Sequence, residues 1–582
     1  MQKRNWATED IYKDLTEWES DYKKVEENAD FSEFKGKLGD KQQFIACMKK
    51  QELVGRILEK LAVYTHMKHD EDTANSQFDA LYSRVQSLSV KLSTNTAFIT
   101  PELISLDESV LQSYILDPEL SEYDYSLSCV LKEKQHVLDE EQEKLLANVS
   151  EVFSSFKDIF GKIDNADLKF GTVRVGFKKI PLTHGTYGLM MHSDNRRLRE
   201  KAFKQYYKSY IDFINTISAT YYGNVKKGVC VAKARNYDSA LARALGGEDV
   251  DVKVYQNLIE SVNTALPILH DYMATKKKQL GYKQMHMYDV YASTVKDADY
   301  KLNYDDAYSL VVEGLSVLGE EYKELLLKAY NERWIDVDEK PNKRSGAYSI
   351  SAYDTHPYVL LNYQPTTHDV FTIAHEMGHS IHSYYSNKTQ PYAKADYKIF
   401  VAEVASTVNE VLLVKYLISK AKDKKQEKFL LSYLMEMIRT TLFRQTQFAE
   451  FEEFSHSSVE KGIPLTKDLM NEKYLELNKK YYGDAVVSDT EISYEWARIP
   501  HFYRAFYVYK YSTGIISALA IAERILNEGQ PAINDYFNFL KSGNSNGPVE
   551  LLKIAGVDLT DKKPFELAFK TFSDALNRFK QL

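Results

Sequence analysis

The sequence predicts a mainly α-helical protein, and three observations carry that expectation. Only 13 Pro and 24 Gly are spread over 582 residues, too few chain breakers for a turn-rich β architecture. Apolar residues recur at helical spacing among charges through most of the chain. Only two short regions alternate in the way strands do.

In chain order, the helical pattern occupies residues 7–30, 40–71, 73–96, 107–116 and 138–160. It continues over 195–235, 250–280, 304–330, 400–422, 425–460, 465–482, 501–528 and 564–581. Residues 166–190 hold short alternating runs broken by Gly and predict a small hairpin. Residues 344–363, RSGAYSISAYDTHPYVLLNY, read as two strands separated by Asp354-Thr355-His356-Pro357. No repeat period and no low-complexity linker appears. The length exceeds what one hydrophobic core fills, so a helical N-terminal region (1–200) and a second, mostly helical region (201–582) are expected.

Composition excludes several function classes. The net charge of −8 opposes the broad basic face that nucleic-acid binding needs. Cys47, Cys129 and Cys230 are odd in number and form no CxxC pair, so no disulfide framework is expected and a reducing compartment is. The opening MQKRNWATEDIYKDL lacks the apolar core of a signal peptide, and no run of 18 apolar residues exists to span a membrane. A cytoplasmic location follows as the expectation. No obligatory protein partner is evident.

The chemistry concentrates in TTHDVFTIAHEMGHSIHSYYSN, residues 366–387. Thr366 followed by Asp369 marks a helix start. Val370, Ile373, Ala374, Met377, Ile381 and Tyr384 then form an apolar stripe, while His375, His379 and His382 lie on the other side. His375 and His379 are one helical turn apart, close enough for both imidazoles to reach one ion at about 2.0–2.1 Å. His375-Glu376-Met377-Gly378-His379 is therefore an HExxH motif in helical context, the pattern in which two histidines hold zinc and the glutamate serves as general base.

A catalytic zinc takes three protein ligands and keeps one position for water. The third ligand is sought on the next long helix, FVAEVASTVNE, where Glu403 stands 24 residues beyond His379. Glu410 lies seven residues further on the same face. Glu410 or Asp369 is then a candidate to orient a ligand imidazole through its other nitrogen. His382 is too far along the axis to share the ion with both other histidines, and is read as supporting the ligands or facing substrate. One Zn2+ per chain is expected. Gly346 to Tyr353 is a small-residue-rich strand suited to pairing with an extended peptide backbone, so Gly346 and Ala347 are candidate substrate contacts. An ordinary buried hairpin fits the same residues. His356 and Tyr358, at the intervening turn, are candidates to line the cleft.

HEMGHSIHSYYS, the lead-in RSGAYS…YDTHPYVLLNYQ, FVAEVASTVNE and the late HFYRAFYVYKYSTG together resemble oligoendopeptidase F, of the thimet oligopeptidase family of zinc metallopeptidases. The likeness is strongest over residues 340–515. It implies a two-lobed helical zincin-type fold with a deep central channel, the small sheet lying near the metal helix. It implies cleavage of internal bonds in short peptides, with His375, His379 and Glu403 as zinc ligands and Glu376 as base. It further implies that a late tyrosine and histidine assist the reaction, a role suited to stabilising an oxyanion. Here the candidates are His501, Tyr503, Tyr507 and Tyr509. His501 and Tyr509 are the preferred pair, with Tyr503 and Tyr507 placed beside the substrate. The four-residue spacing of Tyr503, Tyr507 and Tyr511 fits one packed helix face equally.

Two rival readings stand beside the endopeptidase. A metallo-carboxypeptidase of a helical HExxH fold needs a cation to clamp the terminal carboxylate, and Arg344, Arg498 and Arg504 are available. A non-catalytic peptide-binding module with structural zinc would close its site with four ligands, often Cys, and no cysteine lies near the motif.

Overall fold

The computed structural model describes residues 4–295 and 300–582, the side chain of Glu140 excepted. Helices dominate, as the periodicity predicts, and they fall into two compact units. The first comprises Met1–Gln135, Asp299–Leu417 and Ile521–Asp558, and the second His136–Ala298, Ile418–Ala520 and Leu559–Leu582. Neither unit is continuous in sequence, so a single division at residue 200 does not describe them. Contacts between distant segments make each unit, and a linear reading of composition does not see those. Among the described residues no helix is long and apolar enough to cross a membrane.

The strands are short: β1 (Thr172–Val175), β2 (Lys178–Pro181), β3 (Met285–His286), β4 (Ile335–Asp336), β5 (Tyr348–Ile350), β6 (Tyr358–Leu360) and β7 (Val486–Val487). In the second unit β1 and β2 form the expected hairpin, and β3 pairs with β7 in parallel. In the first unit the order is β4-β6-β5, with β5 antiparallel to β6 in the register Tyr348↔Leu360 and Ile350↔Tyr358. β5 is thus an edge strand.

After a helix at Leu15–Asn28, the first unit continues with two long helices, α1 (Lys41–Glu71) and α2 (Ser76–Thr96). Asp40 caps α1 by accepting from Gln43 N–H, and Asn75 caps α2 by accepting from Gln77 and Phe78 N–H. Their apolar faces, with Trp18, Phe44, Leu61, Val85 and Leu88, enter one buried core. A smaller core joins Trp6, Val63, Met67, Tyr358 and Leu360, which seats the three-stranded sheet on α1. The motif helix α3 (Thr367–Thr389) and the helix after it, α4 (Ile399–Ser419), complete the part of this unit that matters for chemistry. In the second unit, helix α5 (Arg444–Glu460) continues from a π-turn at Arg439–Phe443. Helix α6 begins at Tyr509 and runs to Glu528. The periodicity predicts a helix from 501, but residues 490–503 form short 3-10 turns. Pro500 has no amide hydrogen to donate to a continuing helix there.

Candidate active site

Thr366 starts α3 as the sequence predicts. Its hydroxyl accepts from Asp369 N–H at 3.2 Å, and the Asp369 carboxylate bonds back to the Thr366 hydroxyl and to Gln364 N–H. The buried face of α3 carries Val370, Ile373, Ala374, Met377, Gly378 and Ile381. At the end of the stripe Tyr385 is buried and Tyr384 is not, one residue on from the expected position. α4 is buried nearly all round. Between Phe400 and Val414 its less buried positions, Ala402, Glu403, Thr407 and Glu410, form one stripe, and this stripe carries both carboxylates.

Two contacts bring that stripe onto the histidines. A Cβ on Gly378 would stand 2.5 Å from Ser406 Cα and 2.8 Å from Ala405 O, so the backbones of α3 and α4 touch where only glycine fits. One turn earlier, Asn409 Nδ2 donates to Ala374 O at 3.0 Å, and Tyr322 donates to Asn409 Oδ1 at 2.8 Å. As α3 rises from 374 to 378, its partner on α4 falls from 409 to 406. The helices are antiparallel, which sets Glu410 beside His375 and Glu403 between the two imidazoles.

The donor atoms converge. His375 Nε2 and His379 Nε2 are 3.2 Å apart, and each lies 3.4 Å from Glu403 Oε2. In a tetrahedron the edge is about 1.6 times the centre-to-vertex distance, so ligand bonds of about 2.0–2.1 Å require edges of about 3.3–3.4 Å. The observed triangle matches that requirement on all three sides. Glu410 Oε1 accepts from His375 Nδ1 at 2.6 Å, which leaves the Nε2 lone pair of His375 pointing into the triangle. Nitrogen and carboxylate oxygen are the donors zinc prefers. The residues therefore fit the ion. No fourth Cys, His, Asp or Glu joins the cluster among the described residues, so the set has the open form of a catalytic centre.

The charges around the triangle are strongly coupled. Burial alone would push His375 down, but the Glu403 and Glu410 carboxylates hold its imidazole well above the ordinary histidine range. Burial alone would raise Glu403, but hydrogen bonds from His375 and His379 hold it well below the usual carboxylate range. Glu376 behaves differently. It is 7% exposed, and burial pushes its carboxyl up, against the pull of the two imidazoles. Its carboxylate makes no hydrogen bond within the described residues. The site thus holds an acid kept ionised for binding and, beside it, one tuned toward carrying a proton.

Several expectations need correction. Asp369 closes the N-terminal cap of α3 and does not orient an imidazole; Glu410 does. His382 is 1% exposed, stacks on Tyr397 at 3.8 Å and packs against Phe539. Burial lowers its pKa to about 3, so it is a neutral core imidazole and faces no substrate. His356 stacks on Trp334 at 4.8 Å and bonds Asp10 at 3.2 Å, away from the triangle. Tyr358 is fully buried on the central strand β6. Neither of these two lines a cleft.

Gly346 and Ala347, by contrast, lead into the free edge of the sheet. Val359 N–H donates to Trp334 O, so its peptide groups turn toward β4 and those of Tyr358 and Leu360 toward β5. By alternation, the peptide groups of Ala347, Ser349 and Ser351 face away from the sheet. Gly346 has φ +91°, a left-handed value that glycine adopts freely, and its carbonyl is held by Asn362. Ser349 Oγ lies 2.9 Å from Ser380 Oγ, which ties this edge to α3 next to His379.

In the second unit the late tyrosines separate into two groups. Tyr509 is buried against Tyr255 at 5.2 Å, and Tyr503 is stacked on Phe160 at 4.4 Å. Both belong to the core, which removes Tyr509 from the preferred pair. His501 is exposed, stacks on Tyr507, and its Nε2 lies 3.4 Å from the Tyr511 hydroxyl. Tyr511, read from the sequence only as part of a packed helix face, joins His501 and Tyr507 in this group. Its signal is the four-residue step from Tyr507, which reads equally as packing. Sequence reasoning misses Asn409, although an amide inside the apolar run Val408–Val414 marks a buried polar contact.

Comparison with known proteins agrees with this geometry. The model of peptidase family M3 matches residues 189–571, and that of oligopeptidase F matches residues 102–170. Oligopeptidase PepF of Bacillus subtilis is 42% identical over 99% of this chain and 87% of its own. An oligoendopeptidase F homolog of Lactococcus lactis is 39% identical over 100% of this chain and 97% of its own. Among solved structures, oligoendopeptidase-F from Enterococcus faecium superposes with a TM-score of 0.74 at 36% identity, covering 97% of this chain and 98% of that one.

Proposed function

Since the chain belongs to peptidase family M3 and is a metallo-oligopeptidase of the oligopeptidase F kind, we propose that it hydrolyses internal bonds of short peptides with zinc held by His375, His379 and Glu403. The observation that carries this reading is the donor triangle of 3.2, 3.4 and 3.4 Å on two helices locked together at Gly378.

When bound, the ion supplies Lewis acidity toward water and the scissile carbonyl. The chain's own residues do the rest. Glu410 fixes the tautomer and ring plane of His375. Glu376 adjoins the triangle with a carboxylate free of hydrogen bonds, so it takes a proton from the attacking water and delivers it to the leaving amine. Burial raises its pKa above the ordinary glutamate value, the direction that favours carrying the proton between the two transfers. The outward peptide groups of Ala347, Ser349 and Ser351 hold an extended substrate by backbone pairing, which is indifferent to most side chains. Among the late residues, His501, Tyr507 and Tyr511 are the candidates to donate hydrogen bonds to the reacting peptide.

Of the three arginines open to the carboxypeptidase reading, two are engaged and the exposed Arg504 remains over the Tyr507 ring. Arg498 is engaged with Glu495 at 3.1 Å, and Arg344 leans on Asp70 at 3.5 Å. Mass spectrometry of the products from one internally quenched peptide, with and without a chelator, tests the proposal. Two fragments whose release stops with chelation support it. Single-residue trimming, or undiminished cleavage in chelator, refutes it.

A further inference from the structure

The first unit holds a half-open cavity of about 1120 Å³ against the metal helices. One wall is α3 and α4: Ser383 is one turn past His379, and Ala402 adjoins Glu403. Ser351, which ends the free edge of the sheet, also lines it. The opposite wall is α1 and α2. Ser351, Ser383 and Ala402 thus place this space next to the strand edge and the donor triangle.

The sign of the cavity is fixed by three lining carboxylates, Glu52, Glu59 and Asp396, with no Lys or Arg among the lining residues. Glu52 is paired with Lys49 at 3.2 Å and Arg56 at 3.3 Å. The other two have no cation among the described residues. Glu59 accepts from Tyr392 O–H at 2.6 Å and from Tyr353 N–H at 3.2 Å, and Asp396 has no hydrogen-bond or ion-pair partner among the described residues. Burial raises the pKa of Glu59 and the Asp396 charge raises it further, while Asp396 itself stays exposed to solvent. Gly55 makes the arrangement possible, since a Cβ there would stand 2.6 Å from the Tyr392 hydroxyl. Tyr353, Tyr392 and Tyr397 also line the cavity. Carboxylates in a walled recess focus their field on what enters.

We propose that this cavity is a specificity subsite, in which Asp396 and Glu59 select peptides carrying a cationic group beside the scissile region. The proposal rests on the peptidase reading above and names its substrate class. The cation is either the α-ammonium of a short peptide or a Lys or Arg side chain, since both present the same charge-assisted hydrogen bonds.

Internally quenched peptides with one scissile sequence separate the sources. One arm compares a free with an acetylated N-terminus; the other compares Lys with Gln at each flanking position. The wild-type enzyme is expected to favour the charged member of at least one pair by roughly tenfold or more in kcat/KM, chiefly through KM. In D396N the charged-to-neutral ratio should fall toward one, and E59Q, which keeps an acceptor for Tyr392, should do the same. Loss of the acetylation ratio identifies the α-ammonium, and loss of the Lys-to-Gln ratio identifies the side chain. No charge preference in the wild type, or a ratio that D396N leaves intact, overturns the proposal. Chelator-sensitive cleavage of the neutral peptides reports separately on the peptidase reading.

Discussion

His375 Nδ1 donates to Glu410 Oε1 at 2.6 Å, and that single bond decides which nitrogen of His375 faces Glu403. The two carboxylates on α4 thus have different duties although they share one helix stripe. Glu403 meets both imidazoles, while Glu410 meets one imidazole from behind.

Glu410→Gln tests that division. The amide keeps the size but removes the charge that stabilises the Nδ1–H tautomer. Zinc affinity is expected to fall by roughly 10- to 100-fold, with the helical fold intact. A competition titration against a chromophoric chelator reads the affinity, and circular dichroism reads the fold. An unchanged zinc affinity would show that His375 needs no support.

Glu376→Gln should leave zinc bound, because Glu376 is outside the donor triangle. Turnover should fall by roughly 10²- to 10⁴-fold. Stoichiometric metal by plasma spectrometry, with kcat from the quenched peptide, checks both halves.

The pH profile follows from the same residue. A base must be ionised, and burial lifts Glu376 above its ordinary value of 4.5. The acid limb of kcat/KM should therefore lie above the usual glutamate range, with activity present above the raised pKa and lost as pH falls through it. Linkage gives a companion sign. A carboxyl that holds its proton more tightly when folded destabilises the fold above that pKa, and relief comes as pH falls toward 4.5. Glu376→Gln should accordingly raise the melting temperature of the metal-free protein at pH 7, and a lowered one would contradict the assigned direction.

Gly378→Ala probes the helix contact. The added Cβ meets backbone, which cannot step aside, so α3 and α4 must separate. A loss of roughly 1–3 kcal/mol is expected from overpacking alone. The donor triangle spans the same interface, so zinc affinity should fall with stability, whereas a surface Gly→Ala change would move neither. Denaturant titration with a parallel metal titration distinguishes the cases.

Much of this site is legible in the sequence. The histidines, Glu376 and the cap at Thr366 are local, since helix periodicity places residues four apart on one face. The match of Glu403 to the imidazoles depends on an antiparallel return, which 24 intervening residues permit but do not dictate. Gly378 and Asn409 dictate it, through contacts that no one-dimensional pattern displays. The same limit misplaces His382 and Tyr358. Each is polar enough to suggest a site, yet each is buried by neighbours remote in sequence, Phe539 for one and Ala7 for the other. The acidic cavity is invisible in the sequence for that reason too, as Glu59 and Asp396 are more than 300 residues apart.

The late tyrosines give the last test. A helix drawn from 501 would align Tyr503, Tyr507 and Tyr511, but α6 starts only at Tyr509, and Phe506 takes a left-handed φ of +55° in the turn before it. That turn sends Tyr503 and Tyr509 into the core and leaves His501, Tyr507 and Tyr511 together on the surface of their unit. Tyr509→Phe should therefore leave kcat within about twofold, any effect appearing as a small stability change of about 1 kcal/mol or less from one hydroxyl. Tyr511→Phe, if its hydroxyl assists the reacting carbonyl, should lower kcat by roughly 10- to 10³-fold with little change in melting temperature. The reverse ranking of the two variants in kcat would return the assisting role to Tyr509.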